Sequence, residues 1–449
     1  MSSATIKKQA IAGTAWTVFG YGASQSLRLG SNLLLTRLLF PELFGLMALV
    51  TVFIVGLNLF SDLGTTPSII QNKRGEEPIF LNTVWTIQVI RGFGLWLGFL
   101  LIAYPVAQFY EEPRLQWLLP IVGLSSIVVG FNSTNIALLQ RRMEVAKIIK
   151  FELGIQLIAL VVMITWALIR PSIWALVAGN LTSAVAELIW SHRLDRKFTN
   201  RFAWDKEVVQ EVSSFGRWIL LSTAMTFLAT EIDRLMLGKL FSLEMLSFYI
   251  IAFTFADIPR QVVGKVSFQV LYPIIVKYAT LPRYLLRSKM LKQRWLILIG
   301  QAIALTMMVS FGDILITFLY DQRYEPATWI LPILALGLWP LMLSITGEKA
   351  LLAVGNPNYC AWGNFLKFIY MAIALPLGFE VYGVLGAVIV IALNDLPFYA
   401  LVVYGLSCQK LSTFKQDILA TLFLIALLTL TITARYYLGL GFPLDKLAF

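Results

Sequence analysis

Residues that carry catalytic chemistry are scarce in this 449-residue chain. It has one histidine, His192, and two cysteines, Cys360 and Cys408. So few ligands leave no zinc constellation, no histidine-based triad and no disulfide framework. No GxxxxGK[ST] segment occurs, which excludes nucleotide hydrolysis by a phosphate-binding loop. Charge is also sparse: Asp, Glu, Lys and Arg make up 14% of the chain, against about 25% in soluble domains. The expectation is therefore a protein with no metal and no cofactor, and not an enzyme.

Apolar surface is what the chain has in abundance. Hydrophobic residues make up 58% of it and the mean hydropathy is +0.76. The runs Leu43 to Ser61, Gly92 to Tyr110, Leu115 to Gln140, Trp295 to Gly312 and Pro326 to Gly347 hold no charged residue. About 18 such residues suffice to cross a bilayer as a helix. The fold class expected is all-α integral membrane, with about 13 transmembrane helices near 11–38, 44–68, 80–109, 115–138, 149–169, 172–191, 212–240, 245–275, 293–319, 327–352, 360–379, 382–406 and 414–434. Lys7 and Lys8 precede the first apolar run, but that run is too long for a signal peptide and lacks a small-residue cleavage site, so it reads as a retained span. The tail from Arg435 is too short to span again.

A net charge of +11 would suggest nucleic acid as partner of a soluble protein. Here the basic residues gather in alternate loops, at Lys73–Arg74, Arg141–Lys150, Arg193–Lys206 and Arg283–Arg294. That alternation is the positive-inside pattern; it places the N-terminus in the cytoplasm and calls for no nucleic acid. The opposite loops, such as Tyr110 to Arg114 and Asp321 to Glu325, are a few residues long and leave no room for an extracytoplasmic catalytic domain. The polar stretch 192–211 divides the chain into an N-terminal six-helix bundle (1–191), a cytoplasmic basic linker (192–211), a C-terminal six-helix bundle (212–406) and an extra helix with a tail (407–449). A faint repeat at an offset of 202 residues pairs Trp16 with Trp218, Leu35 with Leu237, Leu38 with Leu240, Glu42 with Glu244 and Phe53 with Phe255. Parallel repeats are a common transporter plan.

Charges inside spans cost roughly 2.5–3.5 kcal/mol each on insertion scales, so they mark a cavity or a partner. They concentrate on the leading helices: Arg28 and Asn32 one turn apart in the first, Arg217, Glu231, Asp233 and Arg234 in the seventh, and Asp257, Arg260 and Lys265 in the eighth. Arg91, Arg217 and Lys265 lie where they can snorkel to an interface. Glu231 with Arg234, and Asp257 with Arg260, have the i,i+3 spacing of intrahelical pairs. Arg28 has no opposite charge within four residues, and Glu231, Asp233 and Arg234 cannot all pair evenly. A guanidinium offers a fork of donors matched to phosphoryl oxygens, so the candidate substrate site is Arg28, Asn32, Arg91, Arg217 and Arg234, with Asn58 and Asn132 as further amides. Asp62, Glu231, Asp233, Asp257 and Asp395 are candidates for a coupling H+ or Na+, or for plain charge balance. The Gly94–Gly98 GxxxG match is frequent by chance in apolar helices.

With the spans placed, short motifs recur in order along the chain: Leu35-Thr36-Arg37-Leu38-Leu39 with Pro41-Glu42 and Phe44-Gly45, Phe60-Ser61-Asp62-Leu63-Gly64, Phe109-Tyr110 with Pro113, Gln140-Arg141, Phe215-Gly216, Val270-Leu271-Tyr272-Pro273, Gly355-Asn356-Pro357 and Tyr382-Gly383-Val384-Leu385-Gly386-Ala387. In this order the chain resembles the polysaccharide transporter family of Wzx-like oligosaccharide flippases. That family sits in the exporter superfamily that also holds multidrug pumps and lipid II flippases. The resemblance implies two six-helix bundles related as parallel repeats around a central cationic cavity, alternating access, and export of an undecaprenyl-pyrophosphate-linked oligosaccharide across the bacterial plasma membrane. The partners it implies are the lipid-linked oligosaccharide, membrane lipid, and a polysaccharide polymerase with export proteins. Two other readings stay open. A cation-coupled multidrug exporter of the same superfamily is expected to show acidic residues dominating its cavity; a membrane glycosyltransferase, ligase or polymerase is expected to present acid/base groups in a sizeable outer loop.

Overall fold

In hydrocarbon every backbone N–H and C=O must be satisfied within its own segment, and the chain meets that condition with helices. The computed structural model describes residues 3–142, 144–194, 198–278 and 281–445, and among them no strand occurs. Nine helical stretches of the described residues are long and apolar enough to cross a bilayer, or ten if Leu115–Gly130 and Asn135–Arg141, bent by 61°, form one span. One of the nine, Asn358–Cys408, runs for 51 residues, far more than the roughly 20 that one crossing needs. The chain is thus a multi-pass membrane protein. Thirteen crossings follow if the bent pair forms one span, that stretch counts twice, and the two long helices Ser3–Leu38 and Lys206–Leu240 are added.

Two compact units divide the chain at Phe227 and Leu228. The first contains α1 (Ser3–Leu38), α2 (Pro41–Phe60), α3 (Thr65–Gln71), α4 (Pro78–Phe109), α5 (Leu115–Gly130), α6 (Asn135–Arg141), α7 (Val145–Ile169), α8 (Ile173–Ser191) and most of α9 (Lys206–Leu240). Within it α4 packs on α5, α5 on α8, α7 on α8 and α1 on α7. The second contains the end of α9, then α10 (Leu243–Ala256), α11 (Ile258–Val266), a π-turn at Ser267–Leu271, α12 (Tyr272–Tyr278), α13 (Arg283–Leu319), α14 (Ala327–Gly337), α15 (Trp339–Ala353), α16 (Asn358–Ala392), α17 (Leu396–Cys408) and α18 (Phe414–Tyr437). There α13 packs on α14 and α18, α10 on α14, and α16 on α17. The order of elements repeats from α1 and again from α9: a long helix, a broken second, a long third and a broken fourth. At the start of each unit the 202-residue offset is kept by the elements themselves, since α1 ends at Leu38 and α9 at Leu240, while α2 starts at Pro41 and α10 at Leu243.

The sequence predicts single helices at 44–68, 115–138, 245–275 and 327–352; the structure breaks all four. Each break has a local cause. Gly64 takes a left-handed φ of 62°, open to glycine at no steric cost, while the Asp62 carboxylate accepts the Gly64 N–H at 2.8 Å. Pro259 and Pro340 each sit in the first turn of the helix that follows a break, where a missing N–H costs nothing. At Phe131 the freed carbonyl is met by Trp85 Nε1 at 3.2 Å and His192 Nε2 at 3.1 Å. Arg141 Nη1 similarly reaches the carbonyls of Ile69, Ile70 and Asn72 at the end of α3. The predicted division near residue 380 falls on Tyr382 and Gly383, which interrupt α16.

Two basic residues that the sequence assigns to loop ends are buried. Arg294, fully enclosed on α13, pairs with Asp417 of α18 at 2.5 Å. Arg435 pairs with Asp313 at 2.5 Å and also holds the Gly441 and Leu440 carbonyls, tying the C-terminal turn to α13.

Candidate functional site

Helices that bury polar side chains in a bilayer must give them partners or a hydrated space. Each unit contains such a space. In the first, a cavity of about 270 Å³ lies between α2, α4, α5 and α8. Asn58, Gln88, Arg91, Ser125, Ser126, Asn180, Ser183 and Glu187 supply its polar lining. It shares Asn180, Ser183 and Glu187 with a larger cavity of about 670 Å³, which Arg28, Gln140, Glu152 and Gln156 also line. Together they form one polar region inside the unit. Gly92 and Gly130 let α4 and α5 meet beside it: a Cβ on Gly92 would lie 2.6 Å from the Ser126 carbonyl oxygen.

In the second unit a cavity of about 200 Å³ is lined by Glu231, Asp233, Arg234, Asp257, Arg260, Lys367 and Asp395. Most of these charges pair. Arg234 donates to Glu231 at 2.7 Å, Arg260 to Asp257 through a fork whose longer arm is 2.7 Å, and Lys367 to Asp395 at 2.6 Å. Asp233 accepts the Tyr249 hydroxyl at 2.5 Å instead, and its second oxygen is buried with no hydrogen bond among the described residues.

The residues picked out from sequence are distributed as follows. Arg28 lines the larger first-unit cavity and makes no ion pair among the described residues. Asn32 is half-buried on α1 and outside both cavity linings. Arg91 lines the smaller cavity, where its Nε donates to Ser61 Oγ at 2.9 Å and its Nη2 to the Asn58 carbonyl at 2.8 Å. Asp62 serves the break after α2, and Asn132 is buried at the break after α5. Arg217 lies outside the described side chains. Glu231, Asp233, Arg234 and Asp257 share the second-unit cavity, and the two i,i+3 pairs expected from spacing are formed there. Lys265 is exposed.

Sequence reasoning missed Gln88, Ser125, Ser126, Glu152, Asn180, Ser183, Glu187 and Lys367. Asn180, Ser183 and Glu187 follow one another at spacings of three and four, a polar stripe along one face of α8. Lys367 is the one charge in the predicted span 360–379. By lining charge, the first-unit cavities hold Arg28 and Arg91 against Glu152 and Glu187, and the second holds three basic groups against four carboxylates. Basic groups therefore dominate neither unit.

Both units thus enclose polar, charged space inside an apolar helical chain. Residues 34–329 match the family described as polysaccharide biosynthesis protein. The chain belongs to that family. The succinoglycan biosynthesis transport protein ExoT of Rhizobium meliloti (strain 1021) is 25% identical over 258 residues, which are 58% of this chain and 52% of that protein. The lipopolysaccharide biosynthesis protein WzxC of Escherichia coli (strain K12) is 23% identical over 274 residues, 61% of this chain and 56% of that one. The chain thus spans just over half the length of the curated relatives it matches. In fold it is similar to the lipid II flippase MurJ in an inward closed conformation, with a TM-score of 0.73, 12% identity, and coverage of 94% of this chain and 92% of that one. The all-α, multi-pass membrane fold expected from the sequence is therefore found.

Proposed function

We propose that the chain is a flippase that moves an undecaprenyl-pyrophosphate-linked oligosaccharide across the bacterial plasma membrane for surface polysaccharide assembly. In this reading its N-terminus is cytoplasmic, it works by alternating access, and it leaves the covalent structure of its substrate unchanged. The observation that carries the reading is the polar region enclosed by α2, α4, α5, α7 and α8 in a chain of the polysaccharide biosynthesis family. Each sugar hydroxyl taken into hydrocarbon without a partner costs about 2–7 kcal/mol. Amides and hydroxyls such as those of Asn58, Gln88, Asn180 and Ser183 offset that cost by replacing water. Arg28 and Arg91, with Arg234 and Arg217, supply the positive charge for phosphates, and the second unit's carboxylates are the candidates for a coupling H+ or Na+. A polymerase and export proteins complete the expected pathway.

Proteoliposomes carrying the purified chain and a labelled lipid-linked oligosaccharide test the reading. The expected result is protein-dependent movement of the label between leaflets with its mass unchanged. An altered mass supports the enzyme alternative. A second reading, a cation-coupled multidrug exporter, draws on one observation: carboxylates outnumber basic groups in the second-unit cavity. It predicts uptake of a lipophilic cationic dye by the same vesicles, whereas a flippase leaves the dye where it was.

A further inference from the structure

An apolar groove of about 520 Å³ runs along the outside of α2 and α4 in the first unit. Leu57 and Phe60 of α2, Leu63 beyond its end, Ile87 and Ile90 of α4, and Trp204 form its walls. From Ile87 to Gly98 it follows α4 for about 16 Å, at 1.5 Å per residue. Its floor stays open at Gly94 and Gly98. A Cβ on Gly94 would meet nothing within 4 Å, and one on Gly98 would come no nearer than 3.8 Å to Leu57. A small-residue pair that brings helices together would show close backbone contact; this pair leaves space instead.

Arg91 borders both this groove and the polar cavity on the neighbouring face of α4. It stands in the seam between α2 and α4, with Nε and Nη2 held by Ser61 and Asn58. Its Nη1 has no hydrogen bond among the described residues and keeps two donors for a ligand. Along one short line the unit thus presents an apolar channel, then a fixed guanidinium, then a pocket of amides, hydroxyls and a carboxylate. An amphiphile built as hydrocarbon, phosphate and sugar has the same order.

We infer that the seam is the recognition site for a prenyl diphosphate-linked glycan, with the prenyl chain in the α2–α4 groove, the diphosphate on Arg91 and the first sugar in the cavity lined by Asn58, Gln88, Asn180 and Ser183. The inference rests on the flippase reading and adds to it where each part of the substrate sits. It commits to a prenyl diphosphate-linked glycan over a bilayer phospholipid because the guanidinium adjoins a pocket of amides and hydroxyls that suits a sugar, which most phospholipid headgroups lack. The two N–H groups left on Nη1 donate charge-assisted hydrogen bonds to phosphoryl oxygens.

The test uses the full chain in nanodiscs and a spin-labelled prenyl diphosphate, whose binding quenches the fluorescence of Trp204 at the groove wall; the Trp204→Phe protein supplies the blank. Arg91→Gln is expected to weaken diphosphate binding tenfold or more, while the spin-labelled prenol without phosphates binds as before. Gly94→Leu is expected to weaken both, and because nothing faces that position the variant folds normally, checked by circular dichroism and gel filtration. Unchanged diphosphate binding in Arg91→Gln overturns the inference, as does displacement of the probe by phosphatidylglycerol at equal concentration, which makes the groove an ordinary lipid cleft. Transport in proteoliposomes separates this outcome from the wider reading. A wild-type chain that moves lipid-linked oligosaccharide although Arg91→Gln binds normally keeps the flippase and loses the site. A chain that binds the probe at Arg91 and moves nothing loses the flippase alone.

Discussion

Removing Arg294 should destabilise the second unit far more than removing any exposed charge. Its guanidinium is fully enclosed and meets Asp417 at 2.5 Å, Thr346 Oγ1 at 2.5 Å, the Leu343 carbonyl at 2.8 Å and Gln416 Oε1 at 3.2 Å. Asp417 also accepts from Thr413 Oγ1 at 3.0 Å and Tyr399 at 3.3 Å. The network joins α13, α15, α17 and α18. In Arg294→Met the aspartate keeps those two hydroxyls but loses its counter-charge in a dry environment, a change worth about 3–5 kcal/mol. Asp417→Leu strands the cation instead and falls in the same range. The double variant Arg294→Met/Asp417→Leu removes both charges together and should recover most of the loss, because well-packed apolar replacements of a buried pair are often neutral. Denaturant titration of all four proteins in one detergent closes the cycle. Single variants each within 1 kcal/mol of the parent, or losses that simply add in the double variant, would refute the claim that this pair is one energetic unit.

Four further outcomes follow from other parts of the molecule. Gly92→Ala should lower stability by about 1–3 kcal/mol through overpacking, because its methyl group would press on the Ser126 carbonyl at the α4–α5 contact; matched Gly94→Ala, facing open space, should have little effect in the same titration. In the loop after α4, the Arg114 guanidinium holds the Glu112 carboxyl below its ordinary range. A depressed carboxylate stabilises the fold above its unfolded value of about 4.3 and loses that contribution as pH falls through the lower folded value. Glu112→Gln should therefore be less stable than the parent by about 0.5–1 kcal/mol at pH 7, with the gap closing in acid. Arg435→Ala should free the tail that its bonds to Leu440 and Gly441 hold, seen as faster proteolysis after residue 437. A cysteine placed at exposed Thr199 in a background without Cys360 and Cys408 should react with a membrane-impermeant maleimide only from the cytoplasmic side.

The membrane fold was legible because its signal is coarse: a run of twenty apolar residues has few alternatives, and loop charge orders the runs. The breaks were not. Asp62, Phe131, Asp257 and Leu338 end helices through particular hydrogen bonds, a left-handed glycine and prolines, all embedded in stretches whose apolarity continues unbroken past the bend. The site divides in the same way. Glu231, Asp233, Arg234 and Asp257 stood out because charge in an apolar run is conspicuous, and all four line one cavity. Asn180, Ser183 and Gln88 did not, since lone amides and hydroxyls equally serve packing between helices, and only the fold tells which of them face a space. Arg91 was visible as a charge, but its position between groove and cavity depends on how α2 ends, which is set by Ser61 and Asn58.

Leaflet transfer of a labelled lipid-linked oligosaccharide by the reconstituted chain tests the central claim most directly. The expected result is transfer that requires the protein, returns the substrate with its mass unchanged, and falls at least tenfold in Arg28→Ala and Arg234→Ala proteins shown to be folded. Transfer at the wild-type rate in both variants, or none in the wild type while a cationic dye is moved, contradicts it.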